Sequence, residues 1–105
     1  MNANPLTAGL PAVHPGSVLR NTVIPALGIP KTKFAEALGI SRQTLYGILE
    51  ERMAVTANIA LRLGKVCGNG PRIWLALQQD YDLRAAQSEL ADQIAALPTL
   101  KEAAA

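Results

Sequence analysis

One twenty-residue stretch, KTKFAEALGISRQTLYGILE at positions 31–50, constrains the fold more than any other part of this chain. Its apolar residues recur at steps of three and four, as on one face of a helix, and Gly39 interrupts the pattern. Glycine adopts the left-handed backbone of a tight turn without strain, and Ala35 is small enough for two helices to cross closely. The stretch therefore predicts a helix-turn-helix unit, with helices over about 31–38 and 42–50.

The second helix of this pair has the composition of a DNA-reading helix. Ser41 is a suitable N-cap, because its hydroxyl can accept a hydrogen bond from an unpaired backbone N–H group. Leu45, Ile48 and Leu49 share one face, while the opposite face carries polar side chains of the kinds that read base edges. The DNA-binding residues predicted here are Ser41, Arg42, Gln43, Thr44 and Tyr46. For Tyr46, packing in the core or at a dimer contact is the alternative.

Phosphate contacts are predicted at the start of the preceding helix, where Lys31, Thr32 and Lys33 combine positive charge with exposed backbone N–H groups. Residues 1–79 hold eight Lys or Arg against three acidic residues, a net charge of +5, whereas residues 80–105 have a net charge of −3. A basic body suits a polyanion such as DNA, although solvated surface residues alone would also give this charge. A five-helix interaction domain that has lost DNA contact is therefore the alternative.

The remaining apolar pattern predicts three more helices. Half of the residues are hydrophobic but only 4% are aromatic, which favours an aliphatic core between helices over a sheet. One helix opens at His14-Pro15-Gly16 and ends near Gly28, one runs from Thr56 to Gly68, and one opens at Pro71. Inward-facing positions on the second of these are Ile59, Ala60, Leu63 and Val66. We also expect Trp74 in the core, Cys67 as a small buried residue and His14 as a capping or packing group.

The last helix is predicted to continue as one apolar stripe until Pro98, formed by Leu83, Ala86, Leu90, Ile94 and Leu97. A five-helix domain already has its own core, so we expect this stripe to form a homodimer. The alternative is that the helix folds back onto its own domain and the dimer uses the helix of Trp74 and Tyr81. The predicted organisation is a flexible arm over 1–13, an all-α five-helix domain over 14–82 and a C-terminal helical extension over 83–105.

Several classes of protein are disfavoured by the residues that the chain contains. Cys67 is the only cysteine and His14 the only histidine, so we expect neither a disulfide nor a metal or other cofactor. The sequence shows no paired carboxylates in a plausible pocket and no Ser–His–Asp or Cys–His set, so an enzyme is not expected. It also shows no membrane-spanning run and no signal peptide, which indicates a cytoplasmic protein without a membrane partner.

The chain resembles the HigA-type antitoxins of the Xre helix-turn-helix superfamily over residues 14–83. The segments that carry the resemblance are His14-Pro15-Gly16, Ser41-Arg42-Gln43-Thr44, Ala60-Leu61-Arg62-Leu63, Trp74-Leu75 and Tyr81-Asp82-Leu83. The resemblance implies a lambda-repressor-like fold and a bacterial antitoxin that binds a small HigB-type ribonuclease toxin. It also implies autorepression, in which the protein binds the operator DNA of its own promoter. A plain Xre-type repressor without a toxin partner is the alternative.

The sequence departs from that family directly after the second helix of the pair. The family commonly has an Asn-Gly turn there, whereas this chain has Glu50-Glu51. A carboxylate at position 50 would be repelled by a DNA phosphate that an asparagine could contact. Arg52 is the predicted replacement for that phosphate contact.

Overall fold

The computed structural model describes residues 12–101, which contain helices and no strand. Helix α1 begins with Pro15–Val18, passes through a π-helical segment at Leu19–Val23 and ends with Ile24–Leu27. The following helices are α2 (Lys31–Leu38), α3 (Arg42–Leu49), α4 (Ala57–Cys67), α5 (Arg72–Glu89) and α6 (Ala91–Ala95). The predicted all-α domain of five helices with a helical extension is confirmed. Most of the predicted N-terminal arm, residues 1–11, lies outside the described residues.

The helix ends follow from local hydrogen bonding. The Ser41 hydroxyl accepts a hydrogen bond from the Thr44 N–H at 3.0 Å, and the Thr56 hydroxyl accepts one from the Ile59 N–H at 3.3 Å. Gly39 ends α2 in the left-handed region, with a φ of 71°. These side chains satisfy donors that a helix leaves unpaired at its start, and the glycine allows α2 and α3 to cross. The predicted caps and the predicted turn are thus confirmed.

The core lies where α1, α2, α3, α4 and α5 meet. Its fully buried side chains include Leu19, Phe34, Leu45, Ile48, Leu63 and Trp74. Burial of Trp74 confirms its predicted role in packing. The closest contact of a glycine with another element is at Gly16, where an added Cβ would overlap the backbone carbonyl oxygen of Ile48. The start of α1 is therefore seated directly on the last turn of α3.

The prediction that Val66 faces inward is wrong, since this side chain is 38% exposed. Val66 and Cys67 line an open groove between the ends of α1 and α4, together with Val23 and Leu27. Helix α1 ends at Leu27 and leaves this groove uncovered, so Cys67 is only half-buried. Partial burial raises the pKa of the Cys67 thiol.

The prediction of one continuous helix through Leu97 is also wrong. Helix α5 spans the predicted domain boundary at residue 82 but ends at Glu89, and Leu90 has a non-helical φ of −105°. Leu83, Ile94 and Leu97 are each more than half exposed, so the extension does not fold back over the described domain. An apolar period without a surface to pack against does not hold a helix together, which explains the break. No helix of the described residues is long and apolar enough to cross a membrane.

His14 has the predicted capping and packing role. Its ring is buried edge-on against Tyr81 with a centroid separation of 4.9 Å, and its Nδ1 accepts a hydrogen bond from the Gly16 N–H at 2.9 Å. Burial lowers the pKa of His14 below its ordinary value of 6.5, against the smaller opposing influence of Glu51 and Asp82. The imidazole is therefore held in its neutral form, which keeps Nδ1 available as an acceptor.

This lowered pKa predicts a pH-dependent stability. Because the unfolded chain binds the proton before the folded chain does, the free energy of unfolding should decrease as the pH falls below 6.5. The substitution His14→Asn keeps a capping oxygen but removes the titration, so it should flatten the dependence between about pH 7 and 5. Urea unfolding at a series of pH values measures this, and equal pH slopes for both proteins would contradict it.

Candidate nucleic-acid interface

Helices α2 and α3 form a helix-turn-helix whose outer face is polar. Ala35 is buried where the two helices cross, and the N–H of Ile40 donates to the Ala35 carbonyl at 3.1 Å. Burial of Leu45 and Ile48 fixes the apolar side of α3 in the core. The rotation of α3 about its axis is thereby set, because its remaining side chains must face solvent.

The structure brings the five residues predicted on α3 together at its first turns. Ser41, Arg42 and Gln43 are exposed, and Tyr46 is 37% exposed, so Tyr46 is not a core residue. The side chains of Arg42 and Gln43 make no hydrogen bond to any other part of residues 12–101, which leaves their donors available to a partner. Thr44 is half-buried, and its hydroxyl lies 2.9 Å from that of Ser41, so both belong to the cap as well as to the surface.

The three residues predicted at the start of α2 lie beside the start of α3. Lys31 and Lys33 are exposed and Thr32 is half-buried. No side chain caps α2. The Lys33 N–H donates to the Pro30 carbonyl at 3.0 Å, so the N–H groups of Lys31 and Thr32 are the ones left for a partner. A shallow depression of about 370 Å³ separates the two helices and is lined by Thr32, Ala35, Glu36, Ile40 and Arg42. Lys33 pairs weakly with Glu36 at 3.7 Å, and both side chains are exposed.

Arg62 holds the turn before α3, a role that the sequence reasoning missed. Its Nη1 donates to the carbonyl oxygens of Leu38 at 2.9 Å and Gly39 at 3.3 Å, while its Nε donates to Asn58 Oδ1 at 2.7 Å. These bonds satisfy carbonyl groups that the end of α2 leaves unpaired. The four-residue spacing of Asn58 and Arg62 signals their pairing, but nothing local indicates the contact with the turn.

Arg20 holds the other end of α3, and it was also missed. Its Nη1 donates to the Leu49 carbonyl oxygen at 2.5 Å, and its guanidinium lies 3.4 Å from Glu51 Oε2. A cation at a helix C-terminus is favoured by the helix dipole as well as by the hydrogen bond. Arg20 and Arg62 thus fix α3 from two different helices.

Arg52, predicted as a phosphate contact, is occupied by an intramolecular partner. Its Nη2 and Nε donate to Glu50 Oε1 at 2.8 and 3.0 Å. The chain turns through Glu51, whose φ of 64° lies in the left-handed region. The N–H groups of Arg52 and Met53 then bond back to the Gly47 carbonyl. No three His, Cys, Asp or Glu side chains of the described residues cluster as a metal site requires.

Comparison with known proteins places this arrangement among helix-turn-helix proteins. No protein-family model matches the chain. It is 35% identical over 80 residues to virulence-associated protein I of Dichelobacter nodosus, covering 76% of this chain and 74% of that protein. It is 32% identical over 71 residues to antitoxin HigA-1 of Vibrio cholerae, covering 68% of this chain and 67% of that protein.

Solved structures resemble the chain in fold and, over about a third of the aligned residues, in sequence. Antitoxin GraA superposes with a TM-score of 0.82 at 36% identity, covering 88% of this chain and all of that one. The structure of GraA in complex with its operator gives a TM-score of 0.82 at 34% identity, covering 97% of this chain and all of that one. The likeness therefore extends beyond the helix-turn-helix to nearly the whole described chain.

Proposed function

We propose that this chain represses transcription from its own promoter and neutralises a HigB-type ribonuclease toxin. The chain belongs to the HigA-type antitoxins of the Xre helix-turn-helix superfamily, and the proposal follows from that family. The observation that carries the DNA-binding part is the exposed polar face of α3 within a fold that superposes on an operator-bound antitoxin. Such a protein works in the cytoplasm, where operator DNA lies.

In this proposal α3 enters the major groove with its first turns facing the bases. Arg42 has the donors for a guanine edge and Gln43 has the donor and acceptor for an adenine edge, each worth about 1–3 kcal/mol of discrimination. Ser41, Thr44 and Tyr46 contribute further polar contacts at this surface. Phosphate oxygens are bound by a second group, formed by Lys31, Thr32 and Lys33 at the start of α2.

Substitutions should separate base reading from phosphate binding. Gln43→Ala should weaken binding to the operator by about 1–3 kcal/mol and leave random DNA unaffected, because only a base contact carries sequence information. Lys33→Ala should weaken both duplexes equally and reduce the salt slope by about one. Fluorescence anisotropy over a range of salt concentrations measures both effects.

Matched controls exist for both changes. Gln79 and Lys65 are exposed residues on α5 and α4, outside the helix-turn-helix, so Gln79→Ala and Lys65→Ala should leave both affinities nearly unchanged. Equal losses on operator and random DNA for Gln43→Ala would show that this side chain does not read bases.

A homodimer is the assembly that this function requires, because a single helix-turn-helix buries little surface on DNA. The C-terminal extension offers the surface for it. Leu83, Ile94 and Leu97 are 56%, 56% and 63% exposed. Residues 83–101 form the dimer contact in this proposal, and residues 14–82 form the DNA-binding domain. The two copies of α3 then lie about 34 Å apart and read half-sites one helical turn apart.

Removal of residues 84–105 should therefore give a helical monomer with poor operator affinity. Because this deletion cuts α5, the double substitution Ile94→Lys and Leu97→Lys provides an independent test that leaves α5 whole. Leu61→Lys is the control, since Leu61 is equally exposed at 63% but lies on α4. Sedimentation velocity reports the mass, and a dimer that survives both changes would rule out this surface.

The toxin partner follows from the family, and the exposed side of α1 is one of the surfaces that the other two contacts leave available. DNA occupies α2 and α3, and the second copy occupies the extension. Leu27, at the end of α1, is 49% exposed beside the open groove that Val66 and Cys67 line. We place the toxin contact on this face of α1.

Co-expression tests the toxin partner directly. The product of the neighbouring reading frame should arrest growth alone, be harmless together with this chain, and co-purify with it. Leu27→Arg should weaken the co-purification and leave operator binding intact, whereas Leu61→Arg should change neither. A neighbouring product that is harmless alone, or that does not co-purify, would leave the plain repressor as the function.

A further inference from the structure

We propose that Glu50 limits the affinity of this protein for DNA by competing with a phosphate for Arg52. This inference rests on the proposed DNA-binding function and deepens it, because it assigns a role to Glu50 and Arg52 in the segment that follows α3. Glu50 acts on DNA through Arg52 and is therefore a positioning residue.

The competition follows from the geometry of the ion pair. Arg52 uses two of its nitrogen atoms on a single oxygen of Glu50, at 2.8 and 3.0 Å. The two side chains are 64% and 61% exposed, so the pair lies on the surface with water around it. Exposed pairs of this kind are weak, and a phosphate oxygen that accepts the same donors can displace the carboxylate.

The position of the pair brings it close to DNA in the proposed complex. Helix α3 has eight residues, about 12 Å in length, and lies in a major groove about 12 Å wide with phosphates along both edges. Glu50 directly follows its last residue, so Arg52 can reach the backbone that borders the groove. In reaching it, Arg52 must leave Glu50, whose charge then stands unpaired beside the phosphates.

The neighbouring acid provides an internal contrast. Glu51 carries the same charge one residue away, but its partner Arg20 is also bonded to the Leu49 carbonyl at the end of α3. Removing the charge of Glu51 therefore releases no arginine for DNA, whereas removing the charge of Glu50 releases Arg52. The difference between the two substitutions isolates the competition from a general change of net charge.

The test measures DNA affinity for wild type, Glu50→Gln, Arg52→Ala and the double variant. The probes are a duplex with the promoter of the chain's own gene and a scrambled duplex of equal length, between about 50 and 200 mM salt. Glu50→Gln should raise affinity for both duplexes by about two- to fivefold and steepen the salt slope by about 0.9. Arg52→Ala should lower affinity more in the Glu50→Gln background than in wild type.

The matched control is Glu51→Gln, which should raise affinity less and leave the salt slope closer to that of wild type. The inference is overturned if Glu50→Gln behaves like Glu51→Gln, or if Arg52→Ala lowers affinity equally in both backgrounds. Wild-type protein that binds both duplexes equally would overturn the proposed repressor function instead. Specific wild-type binding with an unchanged Glu50→Gln variant would overturn this inference alone.

Discussion

The backbone carbonyl groups at the two ends of α3 need hydrogen-bond donors. The arginine side chains that supply these donors fix the orientation of α3 and of its exposed face. Arg62 from α4 supplies donors to the turn before α3, and Arg20 from α1 supplies one to its last turn. The absence of a Cβ at Gly16 lets the start of α1 rest on the Ile48 carbonyl between these two points. A short helix of eight residues would not hold its orientation by itself, so these long-range contacts fix the surface that is proposed to face DNA.

Because some arginines are bound within the protein, only part of its positive charge is available to DNA. The net charge of +5 over residues 1–79 suggests broad attraction to DNA. Two of the arginines that contribute to it are used by carbonyl groups, and Arg52 is held by Glu50. The cations that face outward beside the exposed side of α3 are Lys31, Lys33 and Arg42. The positive charge available for DNA in the proposed complex is therefore concentrated at the start of α2 and α3, beside the side chains proposed to read bases.

The sequence patterns correctly predicted the structural features that depend on residues close together in the chain. The apolar period, the caps at Ser41 and Thr56 and the turn at Gly39 involve residues at most five positions apart, and the structure confirms them. The contacts of Arg20 and Arg62 join residues 23 to 31 positions apart, and no sequence pattern encodes such a distance. The errors at Val66 and Leu90 share this cause, because burial of an apolar residue depends on which element covers it.

Helix α5 links DNA reading to the proposed dimer through a rigid connection. Its first half is anchored, since Trp74 is buried and the Gln78 side chain accepts a hydrogen bond from the Val55 N–H at 2.7 Å, in the loop after α3. The amide nitrogen of Gln78 donates to Asp82 Oδ1 at 2.9 Å, so both polar atoms of the buried side chain have a partner and the anchoring continues one turn further. The exposed extension begins at the next residue, Leu83. DNA fixes the spacing of the two half-sites. A dimer joined through a flexible linker would bind DNA less tightly, because its two halves would lose conformational entropy when they bind both half-sites. Helix α5 is continuous from Gln78 to Leu83, where the proposed dimer surface begins, although it ends at Glu89 before Ile94 and Leu97. The buried glutamine therefore connects the loop after α3 to the start of that surface.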